Sequence, residues 1–303
     1  MKENIKRILK DARKLLSPTN DKENEEIKIM VGKILVNQLK TLNQITSLHD
    51  IEFKIFSQWG DDGIIQYLIN NIDIPNKSFI EFGMENYKES NTRFLLINNN
   101  WKGLVMDSSE SNIKEVKNED IYWKYDLTAK AAFITRENIN QLITDAGFEG
   151  DIGLLHIDID GNDYWVWKAI KIVNPIIVIM EYNSVFGIDR AITIPYEASF
   201  YRTKAHYSNL YWGASLLALC DLAEEKGYFF IGCNSNGNNA YFIRKDKLGS
   251  IKVLTLEEGY VYSKFRESRD KEGNLTYVNG KNRIELISGA KVYNTRLRKL
   301  EII

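Results

Sequence analysis

The sequence predicts an α/β fold built on an open, mostly parallel sheet. Three observations carry that prediction. Short, mainly apolar runs at Phe79 to Phe82, Leu104 to Met106 and Ile176 to Met180 have the length expected of buried parallel strands. Helical stretches stand between successive runs, as crossovers joining parallel strands require. The runs close on Gly83, Asp107 and Glu181. In open α/β sheets a ligand sits at the carboxyl ends of the strands, so these residues mark the expected site.

The bulk numbers fit a globular chain. Of 303 residues, 44% are hydrophobic and 27% charged, enough for a substantial core. Forty basic residues against forty-one acidic ones leave no basic excess for a nucleic-acid surface. No run approaches the length of a membrane span, and no apolar leader opens the chain, so a cytoplasmic protein without an integral membrane span is expected. Cys220 and Cys233, the two cysteines, make neither a disulfide framework nor a zinc site.

Taken in order, Ile5, Ile8, Leu9, Ala12, Leu15 and Leu16 recur at helical spacing opposite a basic face, and Ser17-Pro18 stops the run. A second helix is predicted over about Asn24 to Leu48, and a homo-oligomer through these N-terminal helices is expected. Phe56 to Asn70 reads as a polar loop folded over a ligand, then a helix with Asp61 or Asp62 at its start. Ser78 to Ser109 is a strand, tight loop, helix and strand. A short helix follows Asp107. Ile121 to Tyr125 is predicted as the third strand, ending at Asp126-Leu127, and Thr135 to Ala146 as a helix closed by Gly147.

The fourth strand carries the densest chemistry. Gly153 to Asp163 reads GLLHIDIDGND, three carboxylates and a histidine within eight residues, costly to hold together unless they bind a cation, donate hydrogen bonds or face solvent. A strand that stays regular to Asp160 puts His156, Asp158 and Asp160 on one side. The fifth strand ends in Glu181-Tyr182-Asn183. After a helix capped by Gly227, Tyr228 to Gly232 and Ala240 to Arg244 are strands joined by an Asn236-Gly237 turn. Segments 1–50, 51–248 and 249–303 are thus an N-terminal helical part, the α/β domain and a C-terminal extension for substrate or oligomer contacts.

The Glu81, Gly83 and Asp107 pattern, with the terminal antiparallel hairpin, resembles the class I S-adenosylmethionine-dependent methyltransferases. Such proteins have a Rossmann-like seven-stranded sheet. The usual second and third glycines of their first loop are replaced here by Glu85 and Tyr87. The run HIDIDGNDYWVWKAI followed by PIIVIMEYN looks like the FkbM-type branch, with Asp158, Asp160 and Gly161 on its Asp-x-Glu-Gly motif and Glu181 on the acid of the next strand. The resemblance covers about Phe56 to Lys245.

What the resemblance implies is an O-methyltransferase using S-adenosylmethionine, acting on a hydroxyl of a sugar, nucleotide sugar or surface or capsular glycan precursor. It places cofactor contacts at Glu81, Gly83 and Asp107, with Gln58, Asn91, Ser108 and Asp158 beside them. Asp126 and Leu127 would meet the adenine. Asp158 is expected to orient substrate, His156, Asp160 and His206 are candidate bases, and Asp158, Glu181 and Asn183 would hold a Mg²⁺. The alternatives are an acceptor that is an amine or a phosphorus oxyacid derivative, the anionic one held by Arg190, Arg202, Lys204, Arg266 or Arg269, and a non-catalytic scaffold of the same fold.

Overall fold

The structure, a computed structural model, describes residues 18–42 and 45–303. The predicted helix at residues 5–16 lies outside them. The chain divides into two compact units, Met1–Gln44 and Ile45–Ile303. In the first, one helix spans Pro18–Leu39, starting and ending earlier than the sequence suggests. Thr41 ends it by hydrogen bonding the Gln38 carbonyl at 2.8 Å. Ser47 and Asp50 then form a capping box that opens a separate turn, Leu48–Ile51, so the apolar periodicity running to Ile45 does not keep one helix going. Ile27, Met30, Val31 and Ile34 of the long helix are exposed.

The second unit holds a seven-stranded sheet in the order β3-β2-β1-β4-β5-β8-β7. Its members are β1 (Ser78–Phe82), β2 (Lys102–Asp107), β3 (Leu127–Ala131), β4 (Gly150–Ile157), β5 (Val173–Glu181), β7 (Tyr228–Cys233) and β8 (Asn239–Arg244). The first five pair in parallel, while β8 runs antiparallel to both β5 and β7. This is the Rossmann-like sheet with a terminal antiparallel hairpin that the sequence predicts. A separate three-stranded antiparallel sheet is formed by β6 (Ile192–Thr193), β9 (Lys291–Asn294) and β10 (Lys299–Ile302).

Strand alternation divides the core. Ile80, Phe82, Leu104, Leu155, Val178 and Phe242 join one cluster with Trp167 and with Leu219 and Leu222 of the helix Leu216–Lys226. Their neighbours Phe79, Val105, Leu154, Ile179 and Tyr241, also fully buried, face the other way. Glu81, His156 and Glu181 share that second face.

Further predicted boundaries move, and the helix expected over Thr135 to Ala146 is the shorter Ile139–Thr144. Ile121 to Tyr125 is not a strand: Asp120–Lys124 is a helix of which Ile121 alone is buried, and Trp123 is 74% exposed. The strand is the next segment, Leu127–Ala131, whose alternating burial fits an edge strand. β4 stops at Ile157, and Asp160 has φ +55°, so regular alternation does not extend to it.

The last 55 residues do not stand apart. Residues 260–267 cross the end of β5 and β8, pinned by the Tyr182 hydroxyl on the Val261 carbonyl, the Tyr260 hydroxyl on the Ser184 carbonyl (3.0 Å) and the Ser184–Ser263 hydroxyl pair (2.6 Å). Arg283, fully buried, donates to the Ser263 hydroxyl and carbonyl and the Phe265 carbonyl, and holds that crossing from below.

Candidate functional site

A cavity of about 650 Å³ opens at the carboxyl ends of β1, β2, β4 and β5, where the sequence places the site. Its two halves are built differently. On the β1 side, Glu81 is 1% exposed and its carboxylate is surrounded by donors. Ser90 Oγ (2.6 Å), Thr92 N (3.2 Å) and the Thr92 hydroxyl reach Oε2. Asn91 N (3.0 Å) and His156 Nδ1 (3.1 Å) reach Oε1. Burial alone would push its pKa up, but the His156 hydrogen bond and charge and the two hydroxyls outweigh burial, and the result lies below the usual glutamate value. Glu81 lines the cavity with every oxygen lone pair already used, so it holds the loop 83–92 rather than a ligand.

His156 is fixed in the same network. Nδ1 faces Glu81, and Nε2 lies 3.2 Å from the Asn91 side-chain amide, which can turn either end toward it. Burial disfavours the imidazolium, yet Glu81 and then Asp158 overcome that and raise the pKa. With both nitrogens occupied and only 4% of the residue exposed, His156 has no free position from which to take a proton from a ligand.

The loop after β1 shows what replaces the usual glycines. Gly83 has φ +73°, and a Cβ there would lie 1.5 Å from the Asp158 carbonyl oxygen. Glycine is required by the approach of two chain segments. Glu85 and Tyr87 also hold left-handed φ, +50° and +64°, without being glycine. Asp107 accepts from Glu85 N at 3.1 Å, and Tyr87, fully buried, is tied through its hydroxyl to Thr92 and through its carbonyl to Arg93. Tertiary contacts thus impose a backbone that glycine would adopt freely.

Asp107 closes β2 and stands at the cavity wall with Ser108. Its Oδ1 accepts from Ser109 N (2.8 Å) and Asn112 Nδ2 (3.1 Å), while Oδ2 carries the single Glu85 bond and faces the cavity with capacity to spare. Gln58 and Trp59 overlie this half from the loop before the helix Asp61–Asn71. That loop is tied by Asp62, whose Oδ2 accepts from the backbones of Ile55, Phe56 and Ser57. Asp61 reaches elsewhere, to Asn234, Asn239 and the Tyr241 hydroxyl, so neither acid at the helix start caps the helix with its side chain.

The β4 and β5 side is crowded with acid, of which, among the described residues, Asp160 alone pairs with an arginine, Arg202. Carboxylate oxygens of Asp158, Asp160 and Glu181 lie within 4.8 Å of one another. Burial first, then the charge of Asp160, pushes Asp158 up to about 7. Burial and the charges of Asp158 and Asp160 push Glu181 well above the ordinary value. Glu181, 7% exposed, therefore holds a proton more readily than an ordinary glutamate and shares a hydrogen bond with Asp158. Its Oε2, together with the buried side-chain oxygens of Asn162 and Asn239, accepts no hydrogen bond within the protein. All three residues line the cavity. Asp163, raised to about 6 by burial, holds the turn beneath them by accepting from Ile159 N and Gly161 N, each at 2.8 Å.

Four sequence-predicted site residues fall elsewhere. Asp126 and Leu127 precede or open β3, at the amino end of the sheet, because the strand begins where the sequence reading ends it; Ala132, Phe133 and Ile134 line the cavity from the other end. Asn183 donates to the Leu210 and Trp212 carbonyls and accepts from Val185 N, so its amide is spent on structure and offers no metal ligand. His206 pairs with Ser208 Oγ at 2.8 Å and is absent from the cavity wall. The sequence reading misses Asn162 and Asn239 as site residues, and Phe200, Tyr201, Phe265 and Glu267, which reach the cavity from segments far along the chain. The polar run CNSNGNN beside a strand end was the available signal for Asn239.

No protein-family model and no curated protein matches this sequence. Among solved structures, an S-adenosylmethionine-dependent methyltransferase from Clostridium acetobutylicum is similar over 61% of this chain and 90% of its own, with 11% identity and TM-score 0.40. The N-terminal domain of EvdMO1 with SAH bound aligns over 71% of this chain and 94% of its own (9% identity, TM-score 0.38). The O-methyltransferase from Bacillus cereus in complex with SAH aligns over 71% and 89% (10%, 0.37). Likenesses this distant concern the fold; the chemistry has to be argued from the cavity itself.

Proposed function

We propose that this chain is an S-adenosylmethionine-dependent O-methyltransferase of the FkbM-like kind, acting on a hydroxyl of a sugar or glycan precursor. The observation that supports it best is a cavity at the carboxyl edge of the 3-2-1-4-5-8-7 sheet, with Asp107 on one wall and the Asp158–Glu181 pair on the other. Its volume of about 650 Å³ admits a nucleoside-sized ligand and a second molecule.

In this reading Asp107 Oδ2 receives the ribose hydroxyls, and Ala132 to Ile134 cover the adenine in place of the expected Leu127. The cofactor supplies an electrophilic methyl group. Asp158, at the junction of the halves, takes the proton of the acceptor hydroxyl as the oxygen attacks; with its pKa near 7 it is poised for that work at neutral pH. Positioning of the two reactants in one enclosed space supplies much of the rest. Asp158, Asp160 and Glu181 are the residues that would hold a divalent cation, once Glu181 lost its proton and Arg202 released Asp160. No step here runs through a metal. The left-handed Glu85 and Tyr87 favour an enzyme over a scaffold, because the loop keeps its shape without the glycines.

Calorimetry with S-adenosylhomocysteine tests this directly. Saturable heat is expected for the parent, with affinity lowered about tenfold or more in Asp107→Ala. A parent that gives no heat, or a variant that binds equally well, would sink the assignment. Label transfer from methyl-labelled cofactor into cell-surface carbohydrate then separates enzyme from scaffold.

A further inference from the structure

The walls of the acceptor half have a consistent sign. Eight carboxylate side chains line the cavity, Asp158, Asp160, Glu181 and Glu267 on the acceptor side, and the cationic side chains that line it among the described residues are His156 and Arg202. His156 is committed to Glu81. Arg202 is equally committed: Nη1 donates to Asp160 at 2.5 Å, Nη2 to Glu267 at 3.0 Å and Nε to the Asn209 carbonyl at 3.0 Å, and the guanidinium lies over the Trp212 ring at 4.8 Å. No fork of free donors is left for a phosphate or carboxylate. Among the described residues that line the cavity, the buried side-chain atoms that lack a partner are all oxygens: Asn162 Oδ1, Asn239 Oδ1 and Glu181 Oε2, on residues 4%, 3% and 7% exposed. Unpaired buried acceptors cost free energy until a ligand brings donors to them.

We infer that the acceptor half selects a hydroxyl-rich molecule, neutral or amine-bearing, that carries no phosphate or other anionic group, read through Asn162, Asn239, Asp160 and Glu181. The inference rests on the methyltransferase reading for the word acceptor. It separates the candidates that reading leaves together, favouring a free or glycan-borne sugar over a nucleotide sugar or phosphorus oxyacid. An anion placed beside Asp158, Asp160 and Glu267 meets like charge with no uncommitted cationic side chain among the described lining residues to offset it, which should lower affinity by more than about a hundredfold.

The experiment is saturation-transfer NMR on the full chain saturated with S-adenosylhomocysteine. One probe is a pool of neutral hexoses, deoxyhexoses and hexosamines; the other is the same sugars as 1-phosphates and uridine diphosphate conjugates. Signal is expected from the first pool and none from the second. Asp160→Asn, at a partly exposed position whose left-handed φ asparagine tolerates, should weaken the first signal and admit the second. Asn239→Ala should weaken the first alone. Stronger signal from the phosphorylated pool, silence from both, or calorimetric Mg²⁺ binding that Asp160→Asn abolishes would each overturn the inference. Heat of S-adenosylhomocysteine binding on the same sample reports the underlying reading independently: sugar signal without cofactor heat would remove the methyltransferase and leave the sugar site.

Discussion

Glu81 and Glu181 lie on the same face and the same edge of one sheet, both nearly inaccessible to water, and they behave in opposite ways. Glu81 gathers donors from Ser90, Asn91, Thr92 and His156, and its pKa falls. Glu181 faces Asp158 and Asp160, keeps one oxygen unpaired, and its pKa climbs. Burial by itself penalises both charges about equally; what differs is whether the neighbours are donors or other acids. The first arrangement builds a rigid half-site. The second holds free energy in reserve for a ligand, the pattern of a site whose local stability is given up for function.

The largest effect expected from breaking this contrast is on the Glu81 side. Glu81→Ala strands the Thr92 and Asn91 amides and the buried His156, and should cost about 3–5 kcal/mol in urea unfolding. Gly83→Ala comes next, roughly 3 kcal/mol or more, since a Cβ 1.5 Å from the Asp158 carbonyl forces β1 and β4 apart as well as straining φ. An unfolding midpoint close to the parent's in either variant would mean the β1 half is not the rigid one.

On the other side the sign reverses. Glu181→Gln should stabilise the unliganded protein at pH 8 by about 1–2 kcal/mol, because it removes a carboxyl that resists ionisation, while label transfer drops by an order of magnitude or more. The same logic sets the pH profile. Asp158, at about 7, and Asp62 and Asp163, at about 6, have pKa values raised above the ordinary 3.8. The folded state thus binds more protons than the unfolded one, and their contribution is full below pH 3.8 and lost as pH rises through 6 to 7. Glu81 runs the other way, contributing above its ordinary 4.5 and losing that as pH falls through its lower folded value. Thermal stability of the unliganded chain should therefore be highest near or below about pH 4.5 and fall as pH rises through 6 to 7; a maximum at pH 8 would contradict the crowded-acid half. The smallest effect is expected at His206, tied to its own turn: His206→Ala should leave label transfer within a factor of about two and stability within roughly 0.5 kcal/mol.

Much of the architecture was readable before any coordinates. Short apolar runs announced β1, β2 and β5, the alternating stretch GLLHI announced β4, and Asn236-Gly237 announced the final hairpin, because those signals are local. β3 was misplaced by one segment for an equally local reason: Ile121, Tyr122 and Trp123 have strand-like composition, but Trp123 faces solvent and the helix is what buries Ile121. Asn183 and His206 look like chemistry in one dimension and prove to be joinery in three.

The amino-acid sequence alone determined the layered fold, the edge at which the cavity opens and the acids Glu81, Asp107, Asp158 and Glu181 that mark it, since strand periodicity and strand-end residues follow from neighbours along the chain. Tertiary structure alone decided which of those acids are satisfied and which are strained. It also brought Arg202, Asn239 and Glu267 to the same cavity and held Glu85 and Tyr87 in glycine-like geometry. The reason is physical: a carboxylate's charge and a backbone's tolerated φ are set by what packs against them, and those partners arrive from segments that sequence spacing does not connect.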